Sequence, residues 1–328
     1  MSNYQKIIYI LFFLLIETSI SFSQENNDSA NAVYNFPHRI TIKTYFSSSD
    51  LYYTLRDKDA KFKPVSIIPN SKSNIGISFS YKSFGLSYSK RISESPYIER
   101  KYGKTTYSNF RLNYFYKNYG FDGYIQQYKG LYYKNPQFLF PDFSKDGIYP
   151  KLPNMSITTL GYNSTIKKNS NFSFKSIYYQ SERQTRSIGS LVLMISTRLS
   201  RIKNDSSFIP ISANKYMPEF GECNKGSFFD FAFAPGYAYT FVKDNYFISG
   251  NMYAGIGEQF QLYTKNDKLR FRYKSIFKYN FRTTAGYNGD NFFCKISYDI
   301  DLNTMRVEDS RQNILLDALD FTIGFRIK

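Results

Sequence analysis

The stretch RFRYKSIFKYNFRTTAGYNGDNFFCKISYDI, residues 270–300, restricts the possible folds more than any other part of the chain. It sets Phe271, Tyr273, Phe277, Tyr279 and Phe281 on one set of alternate positions and Arg270, Arg272, Lys274, Lys278 and Arg282 on the other. Successive side chains of a strand point to opposite faces, so a period of two predicts a strand with an aromatic and a cationic face. Asn288-Gly289 is a strong two-residue hairpin signal, and a turn there pairs Tyr287 with Asp290 and Ala285 with Phe292. The aromatic face then continues onto Phe292, Cys294, Ile296, Tyr298 and Ile300, and the polar face onto Lys295, Ser297 and Asp299.

Composition decides what each face meets. The 328 residues are 20% aromatic, with Tyr 32, Phe 32 and Trp 0, yet the chain is hydrophilic on average. Strands that cross a bilayer need about 9 to 11 residues and carry aromatic girdles at both interfaces. This combination predicts an all-β protein, an antiparallel transmembrane β-barrel with rings toward lipid and cations toward a polar lumen. The competing fold is a secreted, soluble β-sandwich that buries the aromatic faces.

The N-terminus points to export. Lys6 precedes the short apolar run IIYILFFLLIETSI, and Ser21 and Ser23 are small residues ahead of Gln24. This predicts a cleavable signal peptide over residues 1–23, with an uncleaved anchor as the alternative. Residues 24–37 read as a flexible lead-in and residues 38–328 as one barrel domain. Beyond residue 24 no apolar run has the length of a membrane helix, so a membrane-embedded chain has to close as a barrel, because open sheet edges cannot be satisfied in lipid.

The same alternation recurs elsewhere. Ile75, Ile77, Phe79 and Tyr81 pass through Lys82-Ser83 into Phe84, Leu86 and Tyr88, opposite Gly76, Ser78, Ser80, Gly85, Ser87 and Ser89. Phe110, Leu112, Tyr114 and Tyr116 lead through a turn at Asn118-Tyr119 to Phe121 and Ile125, and Pro235 implies a bulge or kink within residues 226–242. Strands are expected at 39–57, 73–82, 84–91, 105–117, 120–133, 155–167, 171–182, 187–200, 226–242, 246–262, 270–287, 290–302 and 312–328. That number is odd, whereas single-chain outer-membrane barrels have an even number of strands, short periplasmic turns and long outer loops. The sides of the turns conflict between 171 and 200. Either that stretch crosses once, giving twelve strands, or a further strand lies in 201–225, giving fourteen; twelve is preferred. Outer loops then fall at 92–104, 134–154 and 201–225, with shorter ones at 58–72, 263–269 and 303–311. The terminal DALDFTIGFRIK, with Leu319, Phe321, Ile323, Phe325 and Ile327 on one face, is similar to the strand that outer-membrane assembly machinery reads, although Lys328 replaces a terminal aromatic.

The blocks HRITIKTYFSSSD at 38–50, SNIGISFSYKSFGLSYS at 73–89, DSSFIP at 205–210, GYAYTF at 236–241 and RTTAGYNGDNFF at 282–293 resemble those of domain of unknown function 4421, a family of bacterial outer-membrane proteins. The resemblance spans nearly the whole chain after the leader. It implies an outer-membrane barrel and carries over no catalytic or binding residue.

Catalytic chemistry has little to work with. His38 is the single histidine, which leaves no His-based metal cluster and at most one candidate base. A structural role where the first strand enters the membrane is expected for it; no catalytic residue, metal or cofactor is expected. Cys223 falls in an outer loop and Cys294 on a lipid face, so no disulfide is expected between them.

Charge is the remaining functional clue. Lys+Arg 43 against Asp+Glu 26 gives +17, and removing residues 1–23 deletes Lys6 and Glu17 without changing the balance. Nucleic acid is a poor partner for an exported barrel. Arg270, Arg272, Lys274, Lys278, Arg282 and Arg111 form a candidate cationic lumen wall, and rings of cations select anions in pores. The plainer reading pairs these cations with Asp122, Asp230 and Asp299 in a plugged barrel. Three functions follow: a passive or gated pore for small anionic solutes, a closed structural or surface-binding barrel, and a lipid-modifying barrel enzyme. Outer-membrane lipid, surface glycolipid phosphates and the assembly machinery are the other expected partners.

Overall fold

The computed structural model describes residues 32–56, 64–140, 142–144, 147–210, 223–265, 268–307 and 310–328. The expected signal peptide and most of the lead-in lie outside the described residues. No helix among the described residues is long and apolar enough to cross a membrane.

In chain order the strands are β1 (Val33–Asn35), β2 (Ile40–Arg56), β3 (Val65–Pro69), β4 (Asn74–Tyr81), β5 (Phe84–Arg91), β6 (Thr106–Tyr116), β7 (Tyr119–Tyr133), β8 (Lys151–Lys167), β9 (Glu182–Gln184), β10 (Ile188–Lys203), β11 (Lys225–Lys243), β12 (Tyr246–Lys265), β13 (Lys268–Asn288), β14 (Phe292–Val307) and β15 (Ser310–Ile327). Helix α1 (Pro96–Tyr102) lies between β5 and β6, and helix α2 (Phe174–Tyr178) between β8 and β9. Among the described residues twelve antiparallel strands, β2, β4 to β8 and β10 to β15, form one ring, closed where Ile40 to Arg56 of β2 pair with Ile327 to Arg311 of β15. Closure removes every free edge, the condition for β-structure in lipid.

The outward face is apolar on every one of these strands. Ile77, Leu86, Phe110, Leu160, Phe233 and Ile248 are among its exposed residues. Tyr81, Phe84, Tyr116, Tyr119 and Tyr246 stand beside the short turns as exposed rings. A continuous apolar belt of this extent is far larger than a soluble monomer exposes and matches a lipid-facing surface flanked by an aromatic girdle.

The wall is uneven. β4 and β5 have 8 residues each, and beyond them β3 bridges β2 and β7 directly. The change of neighbour on β7, from β6 to β3, coincides with a register shift between Lys129 and Leu131. Gly130 supplies the bulge with φ +84, and a Cβ there would stand 2.2 Å from the Lys104 carbonyl oxygen.

Several sequence expectations are corrected. Residues 171–182, read as a strand, contain α2, so the chain crosses once between 168 and 203. The further strand in 201–225 is absent from the described residues, and β10 pairs directly with β11. The hairpin after β13 is longer than Asn288-Gly289 requires: Asn288 pairs with Phe293 and Tyr287 with Cys294. The pairing moves by an even number of residues, so both faces keep their residues. The turn before β7 is Lys117-Asn118, since Tyr116 pairs with Tyr119. The loops expected at 263–269 and 303–311 are mostly strand, because β12 and β13 run to Lys265 and Lys268 and β14 and β15 to Val307 and Ser310. Around Pro235 the β11–β12 ladder omits pairs at Ala234 and Pro235 but resumes in the same register, so a gap takes the place of a bulge.

Candidate functional site

The lumen changes character along its length, and β2 shows how. Its inward positions run Thr41, Lys43, Tyr45, Ser47 and Ser49, then Leu51, Tyr53 and Leu55. Toward the long loops those apolar residues join Ile67, Met155, Ile202 and Phe228 in a core sealed by Phe208, Ile209 and Cys223. This half of the barrel interior is packed.

The short-turn end is filled by the connection from β8 to β10. Ser173 caps α2, its hydroxyl accepting from the Ser176 N–H at 3.1 Å. Phe172, Phe174 and Ile177 are buried against Phe115, Val192 and Met194 of the wall. The wall holds the end of this helix through its carbonyls. Lys43 donates to Tyr178 O at 2.6 Å, and Lys295 to Ile177 O at 2.7 Å and Tyr178 O at 3.2 Å. Arg326 donates from Nε to Gln180 O at 2.7 Å. Cations on the last carbonyls of a helix satisfy acceptors that the helix leaves open. Asn251 adds a bond to the Tyr178 hydroxyl at 3.3 Å, and the Arg282 guanidinium lies 4.5 Å from the centre of the Tyr178 ring.

The end of the lead-in is part of this plug. β1 pairs with β9, with Tyr34 opposite Arg183. Phe36 is buried, with the guanidinium of Arg326 3.8 Å from its ring centre and Arg183 and Arg39 both at 5.8 Å. Arg183 also bridges to Asn245 at 2.8 Å and Asp290 at 2.9 Å, tying the plug to two neighbouring turns.

Between plug and core lies a polar zone holding most of the interior charge. Arg282 is held by both oxygens of Asp299, with Nη2 2.8 Å from Oδ2. Arg198 meets Asp230 at 2.9 and 2.5 Å, and Gln259 donates to the other oxygen of Asp230. Lys278 pairs with Asp301. Arg111 stands 3.8 Å from Asp122 and 5.1 Å from the Tyr124 ring centre, while Asn113 also donates to Asp122.

The six candidate cations therefore occupy two places. Lys278, Arg282 and Arg111 face the lumen and pair with carboxylates. Arg270 and Arg272 are exposed and Lys274 half-buried near the far end of β13, toward the long-loop side. Interior charged groups that were not singled out as site residues include Lys43, Arg198, Lys295, Asp301, Asp320 and Arg326. The alternation Ser196, Arg198, Ser200 marks one of them as inward-facing. His38 is exposed in the turn before β2, with φ 67. Neither Cys223 nor Cys294 is in a disulfide. Among the described residues no group of His, Cys, Asp and Glu is placed to hold a metal ion.

Residues 26–326 match the family described as "Domain of unknown function (DUF4421)". The chain belongs to this family. The expectation drawn from the sequence blocks thus holds over nearly all of the chain. No curated protein matches. Among solved structures, the outer-membrane protease OmpT of Escherichia coli is similar at 6% identity and a TM-score of 0.35, over 89% of this chain and 97% of that one. The β domain of the Bordetella autotransporter BrkA is similar at 9% identity and a TM-score of 0.39, over 87% and 98%. The translocator domain of the autotransporter NalP from Neisseria meningitidis is similar at 8% identity and a TM-score of 0.37, over 98% and 96%. At these identities and scores nothing of their activities carries over to this DUF4421 chain.

Proposed function

We propose that this protein is a bacterial outer-membrane barrel held closed by its own β8–β10 connection, and that it passes small anions only when that plug is displaced. The observation that carries the reading is the grip on α2: Lys43, Lys295 and Arg326 all donate to backbone carbonyls of residues 177–180. With those carbonyls gone, Lys43 and Lys295 would lose their hydrogen-bond partners on the lumen wall, while Arg326 would keep Asn288 and the carbonyls of Gly289 and Asp290. Ammonium groups released from their carbonyls can ligate a passing anion, so the same two lysines close the resting barrel and would favour anions in an open one.

In this reading the short turns and the plug face the periplasm and the long loops face outward, as is usual for such barrels. Arg270, Arg272 and Lys274 then stand on the outer side of the belt, suited to the phosphates of surface glycolipid. The lipid-facing alternation of β15 supports recognition by the assembly machinery. The proposal contains no catalytic step.

Single-channel recording in planar bilayers under a salt gradient tests it. The intact protein should be silent, and a variant with residues 171–186 replaced by a short Gly-Ser turn should conduct with a reversal potential displaced toward that of chloride. A steady conductance from the intact protein contradicts the closed state; a cation-selective variant contradicts the role given to Lys43 and Lys295.

A further inference from the structure

Small side chains open a chamber in the polar zone of the lumen. Ser47 and Ser49 on β2, Ser78 on β4, and Ser87 and Ser89 on β5 form one wall. Gly76 leaves room there for the Tyr45 ring, since a Cβ at Gly76 would stand 2.2 Å from it. The cavity measures about 230 Å³, room for about eight waters at ~30 Å³ each or for one small organic molecule.

Its charges nearly cancel. The lining cations Lys43, Arg111, Arg282 and Lys295 face an equal number of lining carboxylates, Asp122, Asp299, Asp301 and Asp320, and Lys278 beside the lining pairs with Asp301. An ionic guest would meet as many like charges as opposite ones while giving up its hydration, which is costly in an enclosed site. An uncharged guest escapes that cost. Hydrogen-bonding capacity of both kinds is left over in the lining. Among the described residues, Arg111 Nε, Asn109 Oδ1 and the hydroxyl of Tyr179 have no hydrogen-bond partner. Asp320 and Ser47 both line the chamber, and a carboxylate has room for several donors. The rings of Tyr45, Tyr107 and Tyr124 complete the lining.

We propose that this chamber binds a small uncharged polyol of monosaccharide size. Each sugar hydroxyl both donates and accepts, which suits a wall that offers both, and the tyrosine rings suit the C–H faces of a pyranose. The inference rests on the closed reading above, because Tyr178 and Tyr179 of the plug are part of the lining.

Radiolabelled D-glucose is the probe, with gluconate and protonated glucosamine as charged counterparts of similar size. Each is added to the folded, detergent-solubilised protein, or in a second series is present throughout refolding, and retention after desalting is measured. Saturable retention of one glucose per barrel is expected, with gluconate and glucosamine excluded. Asp320→Asn should weaken retention about tenfold, the worth of a charge-assisted hydrogen bond. Ser87→Leu, which fills the chamber, should abolish it while the barrel keeps its folded gel mobility. Recordings on the same preparation separate the two readings. A silent protein that retains no glucose in either series, or retains the charged sugars equally, overturns the chamber alone. An intact protein that conducts overturns the plug and the chamber with it.

Discussion

Among the described residues Arg198 and Asp230 are the most deeply buried ion pair inside the barrel, with side chains 8% and 5% exposed. Removing one partner strands the other charge, so Arg198→Met should lower stability by about 3 kcal/mol or more, measured as a shift in the urea midpoint of the barrel in detergent. The double replacement Arg198→Met with Asp230→Leu should recover most of that loss, because a packed apolar pair removes the stranded charge. If the double variant is as unstable as the single one, the pair does not act through charge. Residues of this kind were legible as a face but not as partners. Arg282 and Asp299 fall on one side of the pattern whatever the hairpin length, since any even shift of register preserves the faces. Their direct opposition required the actual turn, in which Asn288 meets Phe293. Lys43 and Lys295 show the other limit. Lys295 read as a polar-face residue and Lys43 was not singled out, yet the partners of both are main-chain carbonyls of a segment more than a hundred positions away from each.

At the scale of elements, the plug was the part least visible in the chain. NSNFSFKSIYYQ places Phe172 and Phe174 at alternate positions, which reads as strand. The competing signal is Ser173 as an N-cap followed by Phe174, Ile177 and Tyr178 at helical spacing. Such a short helix has little intrinsic stability, so the packing of Phe172, Phe174 and Ile177 inside the barrel decides the conformation, and no local pattern reports that packing. The bulge on β7 is a second element-scale device. Gly130 has φ +84 and touches the Lys104 backbone, and its carbonyl accepts from the Thr105 hydroxyl at 2.5 Å. Gly130→Ala should destabilise the barrel by about 2 kcal/mol, read from the same urea titration, because both the left-handed backbone and the close approach exclude a Cβ. An unchanged midpoint would mean that the exchange of β6 for β3 beside β7 does not depend on the bulge.

At the scale of the whole molecule, the number of strands was legible because the chain obeys a parity rule. Short turns at Lys82-Ser83, Lys117-Asn118 and Asp244-Asn245 share one end of the barrel, and only an even ring lets β15 return beside β2. The filled interior was less legible, since Leu51, Tyr53 and Leu55 on β2 alternate like any core strand and do not announce that they face inward across a lumen. A closed barrel with an outer surface solvated by lipid must be recovered from the membrane intact. Cells that express the protein are fractionated, the outer membrane is extracted in mild detergent, and gel mobility is compared with and without boiling. Recovery in the outer-membrane extract and a faster-migrating band before boiling than after are expected. A protein found in the soluble fraction without detergent, with a mobility that boiling leaves unchanged, would contradict the lipid-facing barrel.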